Sequence, residues 1–382
     1  MKILQLLPTL DPRAGGVAAA VLALSRGMAQ RGHKIDIVVL DDPASPWLAN
    51  VDLPVHALGV GAGVYRYSKR LLPWLRENGA NYDRLIVNGT WQYPGFAAWR
   101  RFAGSEIPYY VFPHGMLDPW FKRTYPLKHL KKWLYWPWAE YRILRDAAAV
   151  IFTSEQERDE ARESFWLYRC RERVSSLGVE APPPITDSVR AMFVERFPEL
   201  RGQRLILFLG RLHPKKGCDL AIESLASARG AKDFSLVLAG PDQVGWRPEL
   251  ESLAERRGVG SRVFFPGMLE GDLKRSALTS AEAFILPSHQ ENFGIAVVEA
   301  LAEGLPVLIS NRINIWREIE KDGAGYASDD DVDGTRELLQ RWAETSPEQR
   351  ANARANARRC FAERFEIGRA VDSLLNILSG GN

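Results

Sequence analysis

The stretch Pro287-Ser288-His289-Gln290-Glu291-Asn292-Phe293-Gly294-Ile295-Ala296-Val297-Val298-Glu299-Ala300 decides the fold. The apolar run Ala283-Phe284-Ile285-Leu286 ahead of it reads as a buried parallel strand, and Ile295 to Ala302 reads as a helix. A strand, a short polar turn with a glycine and then a helix leaves unpaired backbone N–H groups at the helix start. Those groups and the helix dipole favour an anion such as a phosphate. Two carboxylates flank the site, Glu291 before the first turn and Glu299 inside the helix. Glu299 stands roughly 9 Å along, at 1.5 Å per residue. A carboxylate accepts hydrogen bonds from paired hydroxyls, as on a sugar or a ribose. A sugar–diphosphate–nucleoside laid along this helix would put its sugar near Glu291, its phosphates at the helix tip and its ribose near Glu299.

The same alternation runs through the chain, the sign of parallel α/β sheets. Strands are expected at the N-terminal run from Met1 to Pro8, then at 35–40, 84–88, 109–113 and 148–153. After the stiff segment Glu180-Ala181-Pro182-Pro183-Pro184 they resume at 205–209, 235–239, 263–266, 283–286 and 307–310. The expectation is two doubly wound domains, 1–181 and 182–366, with residues 367–382 returning as a helix to the first. At 382 residues, two domains are also what length predicts. A hydrophobic share of 46% with 25% charged residues excludes a disordered chain. The three scattered cysteines, Cys170, Cys218 and Cys360, offer no disulfide framework or zinc spacing, which fits a reducing cytosol. No signal peptide and no membrane-spanning run is expected. The net charge of +3 is too weak to imply nucleic acid.

Other candidates fall at strand ends. Gly15-Gly16 follows the first strand, where two glycines allow close backbone approach to a ligand, although an ordinary βα turn also uses them. The pair is not a GxGxxG, so a dehydrogenase gains no support. His114 projects from the carboxyl end of the 109–113 strand, where ligands bind in such sheets. In Gly210-Arg211-Leu212-His213-Pro214-Lys215-Lys216-Gly217, the cations Arg211 and Lys216 flank a glycine turn and match a diphosphate. Residues 119–145 hold seven basic side chains, one acidic one (Glu140) and four of the twelve tryptophans. Trp120, Lys128, Lys131, Lys132, Trp133 and Trp136 there suit an anionic membrane surface or a lipid-linked acceptor, and equally a packed surface with solvated charges. Asp329-Asp330-Asp331 reads as a helix N-cap rather than a metal site.

Together these residues resemble the retaining glycosyltransferase family 4, of the α/β GT-B fold, in which two Rossmann-like doubly wound domains face each other across a cleft. The likeness is most specific at Glu291-Asn292-Phe293-Gly294 through Glu299, which looks like the family's E-x7-E motif, and continues in Gly304-Leu305-Pro306-Val307. His114-Gly115-Met116-Leu117-Asp118-Pro119-Trp120 looks like members that build capsule, exopolysaccharide or lipopolysaccharide. Asn292 departs from the glycine of many relatives. The resemblance implies that Arg211 and Lys216 hold the diphosphate and Glu299 the ribose. Glu291, with Asn292 and the amides of Phe293 and Gly294, would position the sugar, and His114 would contact it from the first domain. Gly15 and Gly16 would approach the donor, and backbone atoms near Met268 and Leu269 the base. It implies no cofactor and no metal. The partners would be a GDP- or UDP-hexose, with a lean to GDP-mannose, and a lipid-linked or oligosaccharide acceptor. The expected location is cytoplasmic, peripheral on the inner face of the membrane. A nucleotide-sugar epimerase of the same fold and a non-catalytic sugar-nucleotide scaffold are the alternatives.

Overall fold

The computed structural model describes residues 1–14, 16–119 and 126–380. The chain divides into two compact units, Met1–Glu180 with Glu366–Asn382, and Ala181–Phe365. In the first unit seven strands form one parallel sheet: β1 (Lys2–Leu6), β2 (Lys34–Val39), β3 (Val55–Ala57), β4 (Arg84–Asn88), β5 (Tyr109–Phe112), β6 (Ala149–Phe152) and β7 (Glu172–Val174). Their spatial order is β3-β2-β1-β4-β5-β6-β7. The register sets Leu6 of β1 between Val38 and Val87. Central strands are apolar on both faces because helices cover both, so Val111 of β5 and Ile151 of β6 are fully buried.

The second unit has six parallel strands, β8 (Arg204–Leu209), β9 (Phe234–Ala239), β10 (Val263–Gly267), β11 (Ala283–Leu286), β12 (Val307–Ser310) and β13 (Gly325–Ser328). Their order, β10-β9-β8-β11-β12-β13, is that of a Rossmann sheet. The winding reverses between β8 and β11, which pair directly. Ligands of open α/β sheets bind outside the carboxyl ends of the strands at such a reversal. The loops leaving β8 and β11 are those that carry Lys216 and Glu291.

Residues Ile367–Leu378 form a helix that lies on the Gly16–Gln30 helix of the first unit. Val371, Leu374 and Leu378 are fully buried there, Arg31 pairs with Asp372 at 2.5 Å, and Arg84 donates to the Leu378 carbonyl at 2.8 Å. The strands at 55–57, 172–174 and 325–328 were absent from the sequence expectation. All three are edge strands, three or four residues long and only partly buried, so no apolar run announces them.

One glycine is dictated by strand packing. Gly240 follows β9 at φ +150, and a Cβ there would fall 1.8 Å from the Gly210 carbonyl oxygen at the end of β8. Neither backbone can yield without breaking the ladder. Gly240→Ala is therefore expected to destabilise by about 2–4 kcal/mol. Thermal unfolding checks this, and a midpoint equal to wild type would contradict the packing described.

Candidate functional site

In the second unit the β8 loop is built from Gly210 to a short 3₁₀ turn at Pro214–Lys216, and Gly217 then caps the Cys218–Ser227 helix. Gly217 is left-handed (φ +69), and a Cβ there would meet the Pro287 carbonyl oxygen at 2.2 Å. Glycine thus lets this loop lie directly on the loop that leaves β11. Hydrogen bonds fasten the two. The Ser288 hydroxyl and the His289 N–H both donate to the Lys215 carbonyl at 2.9 Å, and the Ser310 hydroxyl donates to the Ser288 carbonyl.

This fastening joins residues 75 apart in sequence: the Lys216 ammonium donates to the Glu291 carboxylate. Both side chains are about one-fifth exposed, so the pair is dry enough to be strong yet open to a ligand. Glu291 is also fixed through its backbone, its N–H donating to the Arg312 carbonyl at 3.0 Å and its carbonyl accepting from Asn314 N–H at 3.1 Å. Asn292 Oδ1 accepts from the Asn314 side chain at 3.3 Å. Phe293 turns its ring inward, edge-on to Phe365 at 5.8 Å, so only its backbone can serve a ligand. Gly294 (φ +70) is the N-cap of the Ile295–Ala302 helix and has no side chain to satisfy the first amides. Arg211 is exposed, reaching Gln243 at 3.3 Å. Met268 is exposed and Leu269 buried just beyond β10.

Several supporting residues escaped the sequence reading. Lys274 pairs with Glu299 at 2.7 Å. His289 donates to Asp330 at 2.8 Å, and Arg312 meets the other oxygen of the same carboxylate at 3.0 Å. Asp330 holds the His289 imidazole above its ordinary pKa, and His289 in turn holds Asp330 down at about 2. Asp331, next in line, is the N-cap of the Val332–Glu344 helix, its carboxylate accepting from Gly334 N–H at 2.7 Å. Asp330 and Asp331 are therefore used up in pairing and capping, and Asp329 accepts from the Asn311 side chain at 2.6 Å. Among the described residues no group of three His, Cys, Asp or Glu side chains could hold a metal ion.

In the first unit His114 follows β5 in a left-handed conformation (φ +52), its ring stacked on Phe112 at 5.3 Å. Asn88 Nδ2 donates to Gln5 Oε1 at 2.8 Å, which turns Asn88 Oδ1 toward His114 Nε2 at 3.1 Å. That arrangement makes Nε2 the N–H and Nδ1 the bare acceptor. Nδ1 is enclosed and has no hydrogen-bond partner among the described residues. Burial pushes His114 down to about 4, so the ring stays neutral and accepts a proton-bearing group instead of carrying charge. Its neighbour Gly115 is held by buried Glu157, which accepts from the Gly115 N–H at 2.5 Å and from the Thr153 N–H at 2.6 Å. Gly16 opens the helix after β1, and Gly15 lies outside the described residues.

A family model described as "Glycosyl transferases group 1" matches residues 193–360, and one described as "Glycosyl transferase 4-like domain" matches residues 15–178. Alpha-D-kanosaminyltransferase of Streptomyces kanamyceticus is 30% identical over 251 residues, 63% of this chain and 62% of that protein. A GDP-mannose-dependent alpha-(1-6)-phosphatidylinositol dimannoside mannosyltransferase of Mycobacterium tuberculosis is 26% identical, across 99% of this chain and 96% of its own. Anabaena HepE, solved in complex with UDP and glucose, matches over 100% of both chains with a TM-score of 0.79 at 19% identity, a likeness of fold. This chain is a glycosyltransferase. Its two Rossmann-like units are those of the GT-B fold.

The basic, aromatic segment of the glycosyltransferase separates into two faces on the Pro126–Tyr135 helix and the turn after it. Leu127, Leu130 and Leu134 are exposed at helical spacing, continued by Trp133 and Trp138, with Trp166 6.3 Å from the Trp133 ring. Lys131 is exposed among them. The other face is core, and it corrects two expectations. Trp136 is 1% exposed, stacked on Phe165 at 4.1 Å and donating to the Leu167 carbonyl at 2.6 Å, so it cannot reach a membrane. Lys132 turns inward, its ammonium 4.5 Å from the Trp91 ring centroid. Trp120 and the side chain of Lys128 lie outside the described residues.

Inward, too, lies Glu140, 1% exposed, with Oε2 lacking a hydrogen-bond partner among the described residues. Burial raises its carboxyl to about 7, against the opposing pull of the Trp91 N–H and of Lys132, and burial lowers Lys132 to about 8. A carboxyl raised on folding stabilises fully below its ordinary value of 4.5 and loses that contribution as pH rises through about 7. The loss amounts to about 3 kcal/mol. Glu140→Gln should flatten the fall in thermal midpoint between pH 5 and 7.5. An equal fall in the variant would place the titration elsewhere.

Proposed function

We propose that this glycosyltransferase moves a hexose, with retention, from a nucleoside-diphosphate hexose to a lipid-linked or glycan acceptor in bacterial surface polysaccharide assembly. The observation that carries the donor half is the Lys216–Glu291 pair beside the Gly294-capped helix, at the winding reversal of the second sheet. A bound donor can divide that pair, with its diphosphate taking Lys216 and its sugar hydroxyls taking Glu291. Arg211 and the amides of Phe293 and Gly294 would add fixed positive charge where negative charge grows on the leaving phosphate. Two cations and a helix tip supply what a divalent ion otherwise would, so no metal is assigned a role. Glu299 would hold the ribose, with Lys274 restraining its carboxylate, and the backbone beyond β10 at Met268 and Leu269 would meet the base. His114 is assigned to the transferred sugar, its Nδ1 accepting from a hydroxyl.

The chemistry follows from what these groups can do. The anomeric C–O bond to phosphate breaks as the acceptor oxygen attacks from the same face. The acceptor proton passes to the departing phosphate oxygen, which Lys216 and Arg211 stabilise. GDP-mannose is the favoured donor, supported by the GDP-mannose-dependent relative; the UDP bound by HepE keeps UDP-glucose in the test. Lys216→Ala or Glu291→Ala should lower transfer about 100-fold or more. GDP-mannose or UDP-glucose should raise the melting temperature of wild type but less that of Lys216→Ala. Transfer at the wild-type rate in both variants overturns the assignment, and sugar conversion without any acceptor would mark an epimerase instead.

Membrane contact is supported by the exposed face of Leu127, Leu130, Trp133, Leu134 and Trp138 beside Lys131. No helix among the described residues is long and apolar enough to cross a membrane. Peripheral attachment on the cytoplasmic side is the proposed location. Vesicles containing anionic lipid should retain the protein in flotation, and Leu130→Ser with Trp133→Ser should release it. Flotation unaffected by the double change would assign that face to another role.

A further inference from the structure

A second positively charged cavity lies in the second unit, away from the donor loops. It measures about 220 Å³, and its lining includes Pro183, Pro184, Arg190, Glu303, Arg354 and Arg358. Ala302, also on its wall, ends the Ile295–Ala302 helix whose opposite end is the Gly294 tip. The two sites are thus separated by the helix length, about 12 Å.

The cavity's charges do not balance. Three guanidinium groups line it against one carboxylate, and that carboxylate is taken: Arg275 donates to Glu303 at 2.6 Å and to the Pro183 carbonyl at 2.5 Å. Arg354 and Arg358 stand one turn apart on the same face of the Pro347–Cys360 helix, a like-charged spacing that costs stability. Arg354 is half-buried and donates to the Ala281 carbonyl, its one hydrogen bond among the described residues. Burial and the charge of Arg358 lower its pKa, against the opposing pull of Glu282. Arg358 makes no hydrogen bond or ion pair among the described residues. Its guanidinium lies against Gly304, where a Cβ would come within 2.6 Å of Cζ, so the missing side chain makes room for it. Arg190 contributes its side chain from the Asp187–Arg196 helix.

A helix C-terminus attracts cations, and that accounts for Arg358 in the last turn of its helix. It does not account for Arg354, one turn earlier, or for Arg190 on a different helix. Three guanidinium groups, one of them half-buried, around a single committed carboxylate fit an anion with several acceptor oxygens, the geometry of phosphate. The volume is below the roughly 300–1,000 Å³ of sites for drug-sized ligands, which excludes a whole nucleotide sugar.

We propose that this cavity is a second ligand site, taking a phosphate dianion, free or as the head of a small phosphomonoester, on Arg354, Arg358 and Arg190. The assignment stands independently of the donor site. Calorimetric titration of the full chain with inorganic phosphate, and separately with a hexose 6-phosphate, tests it. Saturable one-to-one binding is expected in wild type and in Lys216→Ala, the tighter probe telling the free ion from the ester. Arg358→Ser and Arg190→Ser, both at exposed positions, should each weaken it about ten-fold or more. Their unfolding midpoints without phosphate show that the fold is kept. Binding lost in Lys216→Ala but kept in Arg358→Ser would put the phosphate at the donor loops and overturn the proposal. Absence of saturable binding by either probe would overturn it as well.

Discussion

The contact of the Gly217 backbone with the Pro287 carbonyl governs the proposed donor site. Any side chain at Gly217 would force apart the loops leaving β8 and β11, and the hydrogen bonds to Lys215 could not close. With the loops fastened, Lys216 and Glu291 have almost no freedom to be anywhere but against each other. The cost of ordering a long lysine side chain is met during folding, not when a ligand arrives. The ion pair also keeps both side chains oriented.

The two units handle charge differently. In the second, the candidate side chains are ionic and partly open, and Lys216, Glu291 and Glu299 are each held in an ion pair. In the first, His114 is neutral, set by Asn88 and Gln5, and the strand-end loop carrying it is fixed by the buried carboxylate of Glu157. A cationic site suits a departing phosphate, and an uncharged acceptor nitrogen suits a sugar hydroxyl.

Much of this was legible in the sequence because buried parallel strands are continuous apolar runs. Ala283–Leu286 and Val307–Ser310 were read to the residue. Short edge strands such as Glu172–Val174 lack that signal, since they bury one face partly and bond on one side. Lys216 and Glu291 could be picked out by residue type and position, but not their pairing, which depends on strand order. Lys274, Asn88, His289 and Glu157 were missed for the same reason: each acts through a partner distant in sequence or through buried geometry that composition does not encode. Trp136 and Lys132 were misread because counting aromatic and basic residues ignores facing. Spacing distinguishes them: Leu127, Leu130 and Leu134 fall on one side, while Lys132 and Trp136 fall on the other.

The most direct measurement is a crystal structure with a non-hydrolysable GDP- or UDP-hexose bound. The account predicts the pyrophosphate against Lys216, Arg211 and the Phe293 and Gly294 amides, with Lys216 parted from Glu291 and Glu291 on a sugar hydroxyl. A pyrophosphate bound elsewhere, with the Lys216–Glu291 pair intact, would contradict it.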